Sequence, residues 1–194
     1  VPVGSGLSSS AALEVAMAVA VRDLEGLDLG AVPLAVLCQA AEREFVGVSC
    51  GIMDQFICVL GREDHALLLD CRSRTYEHLP LRLDDAALVV MNTQIRHEIG
   101  SSEYPVRQAQ CRQGLAVFRK KRPEVQSLRD VTAGDLAGLD APDDSLVLRR
   151  CRHVITEIER TLAAAQALRQ GDLSVFGRLM TESHRSLRDD YAVS

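Results

Sequence analysis

The pattern of apolar and polar positions divides the chain into a first half that mixes helices with strands and a second half dominated by helices. Apolar residues recur at helical spacing in several stretches that begin or end near Gly, Pro or Ser. The pattern predicts helices at about 8–24, 34–45, 51–60, 102–119, 146–169 and 173–188, with a short helix or turn at 132–136. This order of elements predicts the α+β fold class.

His65 to Cys71, with four consecutive apolar residues at 66–69, and the apolar run from Ala87 to Met91 predict strands that are buried on both faces. Residues 75–81 alternate in polarity and predict a strand that pairs with one of these runs. Within the helices, Pro33 suits the first turn of the second helix, and Ser49 can cap the third. The apolar stripes expected to face a core are Leu34, Leu37, Cys38, Ala41 and Phe45; Ile52, Phe56, Val59 and Leu60; and Val154, Ile158, Leu162 and Ala165.

The first helix differs from the others because it is apolar on nearly every side, which predicts packing on more than one face. A glycine- and serine-rich loop leads directly into it. Glycine lets a backbone approach a ligand closely, and the first N–H groups of a helix still lack acceptors. The loop therefore predicts a phosphate site, with an ordinary capped helix after a turn as the alternative. The sequence of the loop does not match the glycine motifs G-x-x-x-x-G-K-[ST], G-x-G-x-x-G or G-x-S-x-G.

Composition narrows the class of protein. The chain has 194 residues, of which 47% are hydrophobic and 25% charged, as in ordinary globular proteins. Its net charge of −5 argues against a nucleic-acid surface. The 6 cysteines form no C-x-x-C pair or Cys/His cluster, so we expect reduced thiols in a cytoplasmic protein. The chain contains no long uncharged apolar run, and we expect no membrane partner.

Two carboxylates are candidates for chemistry. Asp54 lies in the predicted first turn of the third helix, where the helix dipole favours a negative charge. Glu42 lies on the preceding helix, and the glycine-containing turn between them is long enough to bring the two carboxylates near each other. From spacing alone, Asp54 could be either a base or orienting group for a hydroxyl, or an ordinary helix cap.

Several stretches carry a family resemblance. Residues 2–11 read P-V-G-S-G-L-S-S-S-A, which is similar to the P-x-x-x-G-L-S-S-S-A nucleotide-binding motif of the GHMP kinases. The segments A-E-R-E-F at 41–45, C-G-I-M-D-Q-F at 50–56, 92–97, S-E-Y-P-V-R at 102–107 and E-S-H-R-S-L-R-D-D-Y at 182–191 are similar to galactokinases within that family. The matches follow the family's order along the whole chain, so the chain resembles the galactokinases.

The resemblance implies a role for each matching residue. The residues that would hold the ATP phosphates are Gly4, Gly6, Ser8 and Ser9. Ser10 and Glu42 would ligate Mg²⁺, a metal that prefers oxygen ligands. Asp54 would contact the anomeric hydroxyl of galactose, as its base or chiefly to orient it, and Tyr104 would contact the sugar. The implied reaction transfers the γ-phosphoryl group of ATP to that hydroxyl and gives galactose 1-phosphate.

The resemblance also implies a two-domain GHMP kinase fold, with an N-terminal domain like domain 2 of ribosomal protein S5 and a ferredoxin-like C-terminal domain. Residues 1–120 would be the rest of the N-terminal ATP- and sugar-binding domain with crossover segments, and 121–194 the start of the C-terminal domain. The family's N-terminal G-R-x-N-L-x-G-E-H-x-D-Y segment and C-terminal G-x-G-x-G-G motif are absent from the sequence. We therefore expect an internal fragment, truncated at both ends, with little or no kinase activity by itself.

Other functions fit part of the pattern. An N-acetylgalactosamine kinase shares the phosphate loop, and a non-catalytic relative could bind galactose and ATP and then contact a regulatory partner. Without the motif, Tyr104 could equally be a half-buried aromatic residue at the start of a helix. We expect galactose and ATP as ligands, and a monomeric protein.

Overall fold

The computed structural model describes residues 1–3, 6–84, 86–91, 104–139 and 145–193, and their contacts group into two compact units. The first unit is Val1–Ser102 and the second is Glu103–Ser194. No helix among the described residues is both long and apolar enough to cross a membrane.

The described part of the first unit contains three helices and a hairpin. Its elements are α1 (Ser9–Leu24), α2 (Ala31–Ala40), a π-helical turn (Ala41–Val46), α3 (Met53–Leu60), β1 (His65–Asp70) and β2 (Thr75–Pro80). The strands pair antiparallel, with His65 opposite Pro80 and Asp70 opposite Thr75. Asp70 Oδ1 accepts hydrogen bonds from the backbone N–H groups of Arg72 and Ser73, which stabilises the loop between the strands.

The core of the first unit forms where α2, α3 and the hairpin meet. Ala35, Ile52 and Phe56 are buried at its centre. Partly buried side chains pack around them: Val32, Val36, Val59, Leu60, Leu67 and Leu69. Because Asp54 and Gln55 lie in the same short helix as Phe56, this core fixes the position of the helix that carries them.

The second unit is helical. Its elements are α4 (Tyr104–Lys121), a 3₁₀ turn (Leu128–Asp130), α5 (Ala133–Ala137), α6 (Leu146–Gln170), α7 (Leu173–Ser186) and a second π-helical turn (Leu187–Tyr191). The buried core residues are Phe118, Val125, Leu128, Val131, Cys151 and Ile155. The predicted short helix at 132–136 is confirmed as α5, and both Thr132 and Ser127 cap their helices through capping boxes with Asp135 and Asp130.

A buried polar network links α6 of the second unit to the second π-helical turn. His153 Nδ1 lies 3.0 Å from Ser186 Oγ, and Ser186 donates a 3.1 Å hydrogen bond to Asp190 Oδ2. The His153 ring packs against the Tyr191 ring with 4.5 Å between their centroids. Arg107 donates hydrogen bonds to the carbonyl oxygens of Tyr191 and Ala192.

The strand predictions are partly confirmed. The strand at 65–71 is confirmed as β1 and that at 75–81 as β2, but every position of β1 is half-buried, so burial on both faces was wrong. The predicted strand at 87–91 is also wrong, because Leu88, Val89, Val90 and Met91 are exposed and belong to no strand. A strand needs a partner for its backbone groups, and the sheet formed by the described residues contains only β1 and β2.

The predicted helices form, but several details of their packing were wrong. α1 packs against α2 and α3 with Ala11 and Val15 buried, whereas the following apolar residues of α1 are exposed: Leu13, Met17, Val21 and Leu24. Only one face of α1 is therefore covered by the described residues. Ser49 does not cap α3, because the helix begins at Met53 and its N-cap residue is Ile52.

The predicted apolar stripes of α2 and α6 are partly confirmed, since Leu34, Cys38 and Ala165 are buried. In α2 the buried residues are Leu34, Ala35 and Cys38, while Leu37 is exposed and Phe45 is almost fully so. The π-helical turn accounts for Phe45, since a wider turn changes the direction of the side chains that follow. In α6 the buried face includes Cys151, Ile155 and Ala165, whereas Leu162 is exposed.

Candidate active site

The loop before α1 takes the backbone conformations that its glycines favour. Gly6 has a φ of +72°, and Ser8, the residue that precedes the helix, has a φ of +58°. The left-handed region is uncommon for a residue with a Cβ, so Ser8 holds a locally strained conformation. The Ser8 side chain makes no capping hydrogen bond, and its carbonyl oxygen accepts a 3.0 Å bond from Ala12 N–H. The start of α1 is thus not capped by this hydroxyl, as a phosphate site requires.

The two predicted metal ligands lie in direct contact. Ser10 Oγ donates a 3.0 Å hydrogen bond to Glu42 Oε1, although the residues are 32 positions apart. Ser10 lies in the first turn of α1, and Glu42 lies in the π-helical turn with a relative exposure of only 6%. π-Helical turns are rare, and many of them occur at functional sites. Gly47, with a φ of +81°, ends this turn, and Val48 N–H donates to the Glu42 carbonyl oxygen at 3.1 Å.

A glutamine from α3 completes the surroundings of Glu42. Gln55 is fully buried, and its Nε2 donates a 2.6 Å hydrogen bond to Glu42 Oε2. Glu14 lies on α1, one turn after Ser10. Burial, followed by the nearby charge of Glu42, raises the pKa of Glu14, while a favourable interaction with Gln55 opposes that rise. Glu14 Oε2 is buried without a hydrogen-bond partner among the described residues.

Cys50 lies beside the same carboxylates. Burial raises the pKa of its thiol to about 11, and the charge and hydrogen bond of Glu42 act in the same direction, while Arg43 opposes them. A thiol with so high a pKa is a poor nucleophile at neutral pH.

Asp54 occupies the predicted place at the start of α3. It lies in the first turn of that helix and is half-buried. Among the described residues, no hydrogen bond or ion pair engages its carboxylate, which leaves that carboxylate available to a ligand. No contact in the described part of the chain joins Asp54 directly to Ser10 or Glu42, but its neighbour Gln55 contacts Glu42.

The predicted site residues are therefore only partly brought together. Ser8, Ser9 and Ser10 share the start of α1, and Ser10 meets Glu42. Gly4 lies outside the described residues, as do the segment 92–97 and the first residues of the 102–107 motif. Tyr104 begins α4, but its side chain lies outside the described part of the chain.

Two residues of this cluster were missed by the sequence analysis. Glu14 lies four positions after Ser10, so helical spacing places it on the same face of α1. Gln55 directly follows Asp54, but nothing in its sequence position shows that it is buried or that it contacts Glu42.

The donor set fits a hard divalent cation. Ser10 and Glu42 present a hydroxyl and a carboxylate from two different elements, and oxygen donors of this kind, few in number, suit a partly hydrated Mg²⁺. Within the described residues, no group of three or more His, Cys, Asp or Glu side chains could hold a metal by itself. A cation bound here would therefore need ligands from water or a nucleotide.

Comparison with known proteins shows what the chain is similar to. Residues 1–62 match the sequence family described as GHMP kinases N terminal domain. Across the whole chain, the relatives are galactokinases: the chain is 50% identical to that of Chloroflexus aurantiacus over 196 residues, which are 50% of that protein. It is 48% identical to the galactokinase of Homo sapiens over 195 residues, 48% of that protein.

A solved structure shows the same similarity in three dimensions. The crystal structure of Lactococcus lactis galactokinase complexed with galactose matches this chain with a TM-score of 0.91 and 37% identity. The match covers 99% of this chain and 50% of that one. The resemblance to the galactokinases is thereby confirmed, as is a helix-rich fold with a small sheet. The chain spans about half the length of the relatives it matches.

Proposed function

We propose that this chain carries the phosphate loop, the metal ligands and the catalytic carboxylate of a galactokinase, which transfers the γ-phosphoryl group of ATP to the anomeric hydroxyl of galactose. The observation that supports this most directly is the contact between Ser10 and Glu42. It joins the two residues that the motif assigns to Mg²⁺, although they come from separate stretches of sequence.

In this proposal the start of α1 binds the nucleotide. The backbone N–H groups at the start of the helix and the loop residues Gly4, Gly6, Ser8 and Ser9 hold the phosphates. Ser10 and Glu42 would hold Mg²⁺, which would supply charge neutralisation for the phosphate oxygens. The role of the protein is to position these groups, because phosphoryl transfer needs little other chemistry from side chains.

Asp54 and Tyr104 contact the sugar in this proposal. The Asp54 carboxylate accepts the hydrogen bond of the anomeric hydroxyl and either takes its proton or orients it for in-line attack. The available carboxylate at the start of α3, held by the core around Phe56, supports this role.

The finer features of the architecture belong to the same proposal. We propose an N-terminal domain like domain 2 of ribosomal protein S5 and a ferredoxin-like C-terminal domain, divided near residue 120. The two compact units are defined by contacts within this chain and not by comparison with the domains of other proteins. The domain boundary near residue 120 therefore stays a prediction. The cysteines are free thiols, which supports a reducing compartment such as the cytoplasm. A monomeric state also stays a prediction.

The proposal is tested in a full-length enzyme made by grafting this chain in place of the matching 196 residues of the Chloroflexus aurantiacus galactokinase. Galactose- and Mg·ATP-dependent formation of galactose 1-phosphate is followed by ³¹P NMR. We expect Asp54→Asn to lower kcat about 10²–10⁴-fold. Asp28→Asn, which makes the same change in an exposed loop, is the matched control and is expected to retain activity.

The alternatives give different results in the same experiment. A grafted protein that folds and binds galactose and ATP without transferring phosphate supports the non-catalytic relative. A clear preference for N-acetylgalactosamine over galactose supports the other kinase. Equal activity in the wild type and Asp54→Asn would show that Asp54 is not the catalytic carboxylate.

A further inference from the structure

Gln55 is an uncharged polar residue buried in full within the first unit, in the helix turn that carries Asp54. Burying an amide is costly unless hydrogen bonds replace those it made with water. Here the NH₂ group donates a hydrogen bond to the Glu42 carboxylate, while the amide oxygen Oε1 has no partner among the described residues. The Gln55 side chain is therefore held in place by the hydrogen bond that it donates to Glu42.

The two carboxylate oxygens of Glu42 accept hydrogen bonds from two different side chains. Oε1 accepts from the Ser10 hydroxyl at 3.0 Å, and Oε2 accepts from Gln55 at 2.6 Å. With both oxygens held, the carboxylate has a fixed position and rotation. Gln55 therefore holds the carboxylate oxygen that does not contact Ser10.

A second acidic group lies near the same carboxylate. After burial, the charge of Glu42 contributes to the raised pKa of Glu14. Glu14 Oε2 is buried and has no hydrogen-bond partner among the described residues. The hydrogen bond from Gln55 thus holds Glu42 in place beside a like charge.

We infer that Gln55 is a positioning residue that holds Glu42 in its metal-binding orientation and ties it to the helix turn of Asp54. This inference rests on the proposed function. Groups that orient a metal ligand are known to change metal affinity about 10–100-fold when removed. Because Gln55 and Asp54 are adjacent in one rigid turn, the link also fixes the metal site relative to the catalytic carboxylate.

The test uses the grafted full-length enzyme and Mn²⁺·ADP, a complex that binds without turnover. Gln55→Met removes both donors but keeps the length of the side chain. Gln39→Met is the matched control, since the Gln39 amide donates to the Cys50 carbonyl oxygen at 3.3 Å and touches neither carboxylate. Dissociation of Mn²⁺·ADP is measured by water proton relaxation, galactose affinity by calorimetry, and folding by thermal unfolding.

We expect Gln55→Met to weaken Mn²⁺·ADP binding at least tenfold, within the range seen for groups that orient metal ligands. Galactose affinity should change less than about threefold, and activity should recover as the Mg²⁺ concentration is raised. A general loss of structure would produce neither result. If Gln55→Met does not fold, Gln55→Asn is used, since its amide is one methylene too short to reach Glu42. We expect the same loss.

Wild-type affinity for Mn²⁺·ADP in a folded Gln55 variant would overturn the inference, as would an equal loss in Gln39→Met. Failure of the proposed function is seen separately. If the wild-type graft binds Mn²⁺·ADP but does not phosphorylate galactose, the proposed kinase activity is contradicted. The comparison of Gln55→Met with Gln39→Met still tests the inference in that case. A wild-type graft that does not bind Mn²⁺·ADP overturns both.

Discussion

Ser10 Oγ donates a hydrogen bond to Glu42 Oε1 over 3.0 Å, which joins the first turn of α1 to the π-helical turn after α2. Glu42 also accepts from Gln55 at 2.6 Å and raises the pKa of its neighbours Cys50 and Glu14. One buried carboxylate thus links three segments of the first unit. The reactivity of the cysteine thiols in this unit can therefore report on the surroundings of Glu42 without an assay of enzyme activity.

Removal of the Glu42 charge should make Cys50 more reactive. The pKa of Cys50 is about 11, in part because of the charge and hydrogen bond of Glu42, so Glu42→Gln should lower it and increase the thiolate fraction. We expect the alkylation of Cys50 by iodoacetamide at about pH 8 to become roughly threefold faster or more. Peptide mass spectrometry measures the rate, and an unchanged rate would show that Glu42 does not act on Cys50.

Cys58 offers the reciprocal test for Asp54. Burial raises the pKa of the Cys58 thiol, and the charge of Asp54, one turn earlier in α3, adds to this. Asp54→Asn should therefore speed the alkylation of Cys58 and leave that of Cys50 unchanged. Glu42→Gln should do the reverse. A variant that accelerates both thiols equally would indicate loosening of the unit and contradict the prediction.

Gly114 allows α4 to approach α6 closely in the second unit. A Cβ at this position would overlap the Cys151 Sγ and crowd Val147 Cγ1, which lies 3.2 Å away. Gly114→Ala should therefore lower the free energy of unfolding by about 1–3 kcal/mol, despite the better helix propensity of alanine. Urea unfolding followed by circular dichroism measures the change.

Two controls separate this clash from a general effect of alanine. Gly177 lies in α7, and nothing among the described residues comes within 4 Å of the position that a Cβ would occupy there, so Gly177→Ala should raise the free energy of unfolding by roughly 0.5–1 kcal/mol. Cys151→Ala removes the clashing sulfur, so it should offset much of the cost of Gly114→Ala in the double variant. If Gly114→Ala is as stable as Gly177→Ala, the close approach of the two helices is wrong.

The second unit should lose stability as the pH falls below about 6.5, the ordinary pKa of histidine. Burial lowers the pKa of His153, and Arg160 acts in the same direction, against the opposite effects of Glu157 and Asp190. The unfolded chain therefore binds a proton more readily than the folded one in this range. The contribution of His153 is fully present above the unfolded pKa and is lost as the pH falls toward the folded pKa.

Thermal unfolding between about pH 5 and 7.5 measures this dependence. His153→Phe keeps a ring against Tyr191 but cannot titrate, so its unfolding temperature should vary less with pH than that of the wild type. His78, which contacts the Leu60 carbonyl oxygen in the first unit, provides the control variant His78→Phe. A wild-type curve as flat as that of His153→Phe would contradict the assignment.

The sequence by itself was sufficient to predict the helices, the hairpin and the resemblance to the galactokinases. Helical periodicity and the glycines that end the helices are local properties, so α6 was predicted almost to the residue, from Leu146 to its end before Gly171. The motif residues around Ser10, Glu42 and Asp54 carried the resemblance that the comparisons confirm.

Tertiary structure decided which apolar residues are buried and which polar groups meet. The run at 87–91 is as apolar as β1 but forms no strand, because strand formation depends on a partner and not on composition alone. Phe45 is exposed because a π-helical turn redirects it, and Gln55 is buried where the Glu42 carboxylate, from another element, accepts its hydrogen bond. Periodicity describes a residue's own element, whereas burial and hydrogen bonding depend on elements distant in sequence, so only the folded chain could reveal them.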